Sequence, residues 1–364
     1  MKKVVIILIL ALMCFTCALA DNSIWVEETW GQIDRELNCD GLPLFIHAKV
    51  LEVPEGTEVC EYLLEKLSRE AVIEKAKQIN WDALDFDTSS GEWRKPTKSD
   101  PAYSFISKSL PVSVCNLYLY CNMDLYNLDH SYMYDDCDPG QNEVPTDQIG
   151  INGVSREEIM QDAETVATEC GFQLGTVLEV NKCDDPETIS ERIRSYTKRM
   201  GWDESYYPKE AADYAFIDLT FPVYYNGLRL FSGRWTSLDN NLEVPNMNMR
   251  MIVTPGYGIS EVESMLFAGS QLKAITESKS AMNVDEAIHC IEEKYTNMFF
   301  PGVKSVTVQS MALEYVTITG DWASEKPYTL YPAWVARISI EYEEYDNPYM
   351  FYEAYDAVTG KPLF

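Results

Sequence analysis

The side chains best equipped for chemistry crowd into one stretch: Cys115, Cys121, Asp124, Asp129, His130, Asp135, Asp136, Cys137 and Asp138. Thiolates and an imidazole would suit zinc. The spacing Cys115-x5-Cys121-x8-His130-x6-Cys137 lacks the tight ligand pairs that pre-form a tetrahedral site, so a disulfide beside a solvated acidic loop is the expectation. Asp136, Asp138, Gly140 and Asp147 trace the outline of a calcium loop. A calcium hand needs an oxygen ligand at the fifth position and glycine at the sixth, where Gly140 and Gln141 stand, and Asp147 replaces the longer bidentate glutamate. No metal ligand is assigned.

Histidine occurs three times, at His47, His130 and His289. His47 lies inside the apolar run Leu44 to Val50 and reads as a strand residue. His289 adjoins Cys290, but neighbours on a helix point about 100° apart and cannot form a nucleophile–base pair. No Gly-x-Ser-x-Gly elbow, no His-Glu-x-x-His helix and no glycine-rich phosphate loop is present. The 58 acidic residues guarantee some close carboxylate pairs, so glycan hydrolysis by paired carboxylates stays open as an alternative with little information behind it. No catalytic residue and no cofactor-binding residue is assigned, and no cofactor is expected.

Three helices that would position these side chains carry start signals. One follows Ser68, with Ala71, Val72, Ala76 and Ile79 on one face. A second follows Ser155, where Glu158 completes a capping box and Ile159, Ala163, Val166, Ala167 and Cys170 form the apolar stripe. A third follows Asn283, with Glu286 at the same offset, and shows Val284, Ala287, Ile288, Ile291 and Tyr295. Strand-like runs follow each helix: Val112 to Leu128, Tyr214 to Phe231, Val303 to Val316, Ala333 to Tyr342 and Met350 to Ala357. Within the second run, Tyr225-Asn226-Gly227-Leu228 predicts a hairpin, because Asn and Gly tolerate the positive φ of a two-residue turn.

The chain opens with Lys2 and Lys3, an apolar run from Val4 to Met13, and Ala18-Leu19-Ala20, a small-x-small cleavage site. Met13 before Cys14 and Thr16 before Cys17 disfavour a lipoprotein. A signal peptide over residues 1–20 is therefore expected, with secretion and an extracellular location. No later apolar run reaches the roughly 18 residues that span a bilayer, so the mature form is expected to lack a membrane span. Its loss removes two lysines and no acid, taking the net charge from −29 to −31. Such a charge opposes nucleic acid and anionic membranes. Eight cysteines remain after residue 20, an even number consistent with disulfides in an exported protein. Among the tryptophans, Trp334 reads as core, whereas Trp93 and Trp235, beside Arg94 and Arg234, read as candidates for exposed recognition elements.

The alternation of capped helices and strand runs predicts an α+β fold of antiparallel sheets with amphipathic helices packed on one face. Length beyond one ordinary core argues for several units: 21–150, 151–280 and 281–364, with 138–153 and 278–283 as linkers. The echo of Leu67-Ser68-Arg69-Glu70 in Val154-Ser155-Arg156-Glu157 points to repetition. Leu330-Tyr331-Pro332-Ala333-Trp334-Val335 and Tyr355-Asp356-Ala357-Val358-Thr359-Gly360-Lys361 resemble secreted and lipoprotein families of unknown function from Gram-positive bacteria, themselves similar to the PepSY domain. Tyr224 to Leu230 resembles their middle hairpin, with Arg229 where proline is usual, and His47 to Pro54 resembles their first strand. The resemblance implies repeated helix-plus-hairpin units in a non-catalytic extracytoplasmic protein. Its implied partner is an extracellular protein or peptide; an envelope-structural or carbohydrate-binding role is the remaining alternative.

Overall fold

The computed structural model describes residues 23–39, 41–64, 92–94, 103–106, 111–114, 119–122, 145–151, 153–201, 215–231, 247–254, 258–264, 272–297, 301–317, 328–345 and 347–363. The first eight strands are β1 (Trp30–Cys39), β2 (Leu42–Leu51), β3 (Glu58–Val59), β4 (Tyr62–Leu64), β5 (Glu92–Arg94), β6 (Tyr103–Ile106), β7 (Pro111–Val114) and β8 (Leu119–Asn122). Helix α1 (Arg156–Cys170) precedes β9 (Gln173–Leu174) and β10 (Glu179–Cys183), and α2 (Pro186–Met200) precedes β11 (Phe216–Phe221), β12 (Val223–Tyr225) and β13 (Leu228–Leu230). After β14 (Met249–Thr254), β15 (Gly258–Ser264), β16 (Leu272–Ala274) and β17 (Lys279–Ser280) comes α3 (Val284–Asn297). The chain closes with β18 (Val303–Thr317), β19 (Tyr328–Tyr342) and β20 (Tyr349–Asp356).

This is a predominantly β protein, which corrects the α+β expectation of repeated PepSY-like helix-plus-hairpin units. Among the described residues three α-helices accompany two large sheets. One sheet has ten strands and the other runs β10-β11-β14-β15-β8-β7-β6-β5, with a short β17–β3 pair apart from both. Nor is the larger sheet purely antiparallel. Strand β18 pairs antiparallel with β19 but parallel with β2 along its first half and with β13 along its second. The physical reason is that caps and apolar stripes report local conformation, whereas sheet membership depends on pairings hundreds of residues apart.

Local signals are nevertheless sound where they can be tested. Ser155 Oγ accepts from Glu158 N at 3.2 Å while Glu158 carries the reciprocal bond from Ser155 N at 2.7 Å. Asn283 and Glu286 cap α3 in the same way, at 3.0 and 2.8 Å. Asn226 (φ +48°) and Gly227 (φ +78°) form the expected turn between β12 and β13. The stretch after Ser68 lies outside the described residues. Helix α2 is not among the expected helices, although its signal exists: Asp185 Oδ2 accepts from Thr188 N at 2.7 Å, and Pro186 occupies the first helical position, where its missing N–H costs nothing. Strand β1 is also additional, so His47 stands in the second strand of a β1–β2 hairpin rather than in the first strand.

One contiguous core takes buried side chains from both large sheets and all three helices. Leu44, Ile46, Ala48 and Val50 alternate inward along β2, and the buried Val306, Val308, Met311 and Leu313 belong to the neighbouring strand β18 of the same sheet. Helix α3 lays Ala287, Ile288, Ile291 and Tyr295 onto this layer. It is locked there by Glu353 of β20, whose Oε1 accepts from Lys294 Nζ at 2.5 Å and from Tyr295 OH at 3.1 Å, and whose Oε2 accepts from Tyr355 OH at 2.5 Å. Burial and the facing carboxylate push both phenols well above the ordinary tyrosine range. The turn Asp356 to Gly360 closes against the same helix. Gly360, at φ +70°, leaves no space for a side chain, since a Cβ there would lie 2.6 Å from Cys290 Sγ.

Two substitutions separate packing from capping. Ile338→Ala, at a fully buried site in β19, is expected to cost about 3 kcal/mol, and Asn283→Ala about 1 kcal/mol. Guanidinium denaturation of each variant measures both; equal costs would contradict a fold built on the β18–β19 layer.

Candidate functional site

Where α3 begins, the layer opens into a cleft of about 480 Å³. Its floor is sheet: Leu313 of β18 and Trp334 of β19 are registered partners, with Val50 of β2 beside them. One wall is the segment leaving β2, residues Glu52 to Thr57, folded into a turn in which Thr57 N and Thr57 Oγ1 both donate to Pro54 O, at 3.2 and 2.6 Å. Gly56 holds φ +75° at the third turn position, where a type II turn demands a positive angle. The opposite wall is Ala281 to Val284 and Glu286.

Backbone bonds fix the two walls on the floor. Ala281 N donates to Thr57 O at 2.9 Å, Met282 N to Ala357 O at 2.8 Å, and the Trp334 indole Nε1 to Met282 O at 2.9 Å. The cleft is thus held by the sheet, the closing turn and the helix cap together. A pre-formed concavity of several hundred Å³ with an apolar floor is what small-ligand and peptide sites share.

Its electrostatics are one-sided. Glu52, Glu55 and Glu286 line it and, among the described residues, no lysine, arginine or histidine does. A helix amino terminus ordinarily attracts anions. Here the attraction is answered from within, because Asn283 and Glu286 satisfy each other's backbone N–H and Asp285 stands in the same turn. Asp285 Oδ1 in turn accepts from Arg35 Nη2 of β1 at 2.6 Å, which ties that cation to the first turn of the helix.

A second group of ionisable side chains sits where β12, β13 and β18 adjoin. Arg229 and Glu314 are registered neighbours across the parallel pair, and Arg229 Nε lies 3.1 Å from Glu314 Oε1 without its N–H aligned for a hydrogen bond. Tyr224, registered with Arg229, donates its hydroxyl to Glu28 Oε1 at 2.6 Å. Gly175 permits that approach, since a Cβ would fall 2.5 Å from Glu28 Oε1 and 2.7 Å from Tyr224 Cε2. Burial raises the Glu314 carboxyl above the usual range; Arg229 opposes the rise and Glu28 adds to it. Here are two carboxylates with one shifted upward, the pattern that an acid–base pair would need. Glu314 is, however, 5% exposed at its side chain and paired with Arg229, so no substrate reaches it in this conformation. The group ties the segment before β1 to the sheet.

Most of the residues singled out for chemistry by type and spacing lie outside the described residues. The Cys115–Asp138 cluster has only Cys121 among its members in a described strand, β8, and the calcium-like stretch only Asp147, in a short 3-10 turn. No group of three or more potential ligands converges on a metal position among the described residues. His47 is exposed and lies 3.0 Å from Asp34. His289 faces Glu292 and Glu293 at 3.4 and 3.5 Å, not Cys290. Cys39, Cys60 and Cys290 are free thiols. Trp334 is core, 2% exposed, and also the floor of the cleft. Trp93 stands in β5, and Trp235 lies outside the described residues.

No known protein-family description matches the chain, and neither does any curated protein. Its fold is similar to the crystal structure of an uncharacterized protein from Eubacterium rectale, with a TM-score of 0.55 at 12% identity over 88% of this chain and 90% of that one.

The buried pair makes a direct prediction. Arg229→Met alone is expected to destabilise the protein by about 3–5 kcal/mol, because Glu314 is left uncompensated, while Arg229→Met with Glu314→Leu recovers most of that loss. The raised carboxyl binds its proton more readily folded than unfolded. The Arg229→Met variant should therefore gain stability as pH falls from the raised value toward the ordinary carboxylate value, and the double variant should not. Urea titrations across that interval decide the matter.

Proposed function

We propose that the chain is a secreted, non-enzymatic recognition protein that holds a peptide, or a segment of another protein, in the cleft between residues 50–57 and the start of α3. Support comes from one observation above the others. Over a buried base of Leu313, Trp334 and Val50, the half-buried apolar side chains of Val53, Ala281, Met282 and Val284 border a cleft at the place where separate chain segments are bonded together around it. The apolar surface a ligand would recover, at roughly 25 cal/mol per Å², is that of the half-buried walls, Val53, Ala281, Met282 and Val284. The export reading rests on the basic, apolar and small-x-small leader, and amino-terminal sequencing of the exported product should begin at Asp21.

Carbohydrate recognition is favoured by a different observation. An open groove of about 550 Å³ runs between the half-buried ring of Trp25 and the outward stripe of α1, where Gln161, Glu164 and Thr168 stand one turn apart. An aromatic face beside carboxylate and amide groups can hold a sugar ring. A glycan array on the wild type and on Trp25→Ala separates this reading from the first.

For the cleft, Val53→Trp adds bulk from the half-buried wall and leaves the floor residues unchanged. Peptides recovered from a random displayed library on the wild type should bind this variant at least tenfold more weakly, a loss of about 1.4 kcal/mol, with an unchanged circular dichroism spectrum. Equal calorimetric affinity for both proteins would remove the cleft from the account.

A further inference from the structure

We infer that the occupant of the cleft is a cationic apolar segment, an aliphatic or aromatic anchor flanked by lysine or arginine; this rests on the cleft being the binding site proposed above. The floor sets the first requirement. Above the buried Leu313, Trp334 and Val50, the half-buried Val53, Ala281, Met282 and Val284 present hydrocarbon, and the one polar atom Trp334 has, its indole N–H, is already given to Met282 O at 2.9 Å. A wholly polar cation such as a polyamine would leave that surface unmatched.

The rim sets the second. Glu52 and Glu55 are exposed on one wall and Glu286 on the other, and no cation among the described residues lines the site. Neither Glu52 nor Glu55 makes an ion pair among the described residues. Glu286 is half committed, one oxygen accepting from Asn283 N at 2.8 Å. Arg35, on the neighbouring strand β1, is held by Asp285 at 2.6 Å instead of neutralising the rim. Carboxylates around a concave, low-dielectric floor concentrate their field there. The whole chain, with 58 acidic against 29 basic side chains, reinforces that field over longer distances. An anionic segment is repelled from this rim, a neutral one gains nothing from it, and a basic one finds two uncommitted partners at the positions an anchor would bring it to.

The test uses the library selection with a composition readout. Peptides captured by the wild type but lost on Val53→Trp should carry an apolar residue with lysine or arginine within two positions. Resynthesis of one such peptide with glutamine for each basic residue should weaken binding at least tenfold at about 20 mM salt, and the gap should narrow at about 300 mM, where charges beyond roughly 6 Å are screened. Glu52→Gln with Glu55→Gln should weaken the basic peptide about tenfold and leave its glutamine version unchanged. Cleft-dependent peptides that are neutral or acidic, or a basic peptide indifferent to salt and to the two glutamate changes, would overturn the cationic assignment while leaving the cleft as the binding site. Recovery of no cleft-dependent peptide at all would sink both.

Discussion

Strands β18 and β19 are registered from Val303↔Tyr342 to Thr317↔Leu330, and almost everything else in the larger sheet is attached to their two outer edges. Each edge is shared. Strand β18 takes β2 beside its first half and β13 beside its second, and β19 takes β20 and β4 in the same divided manner. A strand of ordinary length could not serve two neighbours on one side. Fifteen residues in each member make this possible, at more than twice the usual strand length. The arrangement also explains burial on both faces near the β13 contact, where Tyr315 and Val316, which point to opposite sides, are 2% and 0% exposed.

Burial on both faces has a chemical consequence. A polar side chain in such a strand needs a dedicated partner, and the two buried glutamates of this sheet find theirs differently. Glu353 is hydrogen-bonded by an ammonium and two phenols and fastens α3 to β20. Glu314 has a guanidinium at ion-pair distance and a second carboxylate in its field, and burial lifts its carboxyl above the ordinary carboxylate range. The first fixes the carboxyl end of α3. Its amino end is fixed by Asn283, by the Met282–Ala357 backbone bond and by Arg35. The cleft is the gap that remains between a helix so fastened and the strand β2 beneath it.

How much of that site is legible in the residues alone varies from one to the next. The Asn283–Glu286 cap is readable because a side chain at a fixed offset reaches a backbone N–H by geometry alone, and the Asp356–Gly360 turn is readable for the same reason: Asp356 Oδ1 accepts from Thr359 N at 2.6 Å. Trp334 is readable as core but not as the floor of a cavity. Glu52 and Glu55 carry no signal among so many acids, and the pairing of Leu313 with Trp334 joins residues whose neighbourhood is set by strand register. The cysteine- and aspartate-rich stretch, the strongest chemical cue in the chain, lies outside the described residues apart from Cys121 in β8.

Taken alone, the sequence determined what short-range physics determines: an apolar run near the amino terminus, a strong negative charge, two capped helices, an Asn-Gly hairpin and the extended character of the closing runs. Each rests on contacts within about four residues or on composition, so no knowledge of the fold is needed. Tertiary structure decided that β strands dominate, that β2 and β13 lie parallel to β18, that Arg229 meets Glu314, and that a cleft opens at α3. Those outcomes depend on which distant strands pair and in which register, and a period-two pattern specifies a strand's buried face without naming the strand beside it.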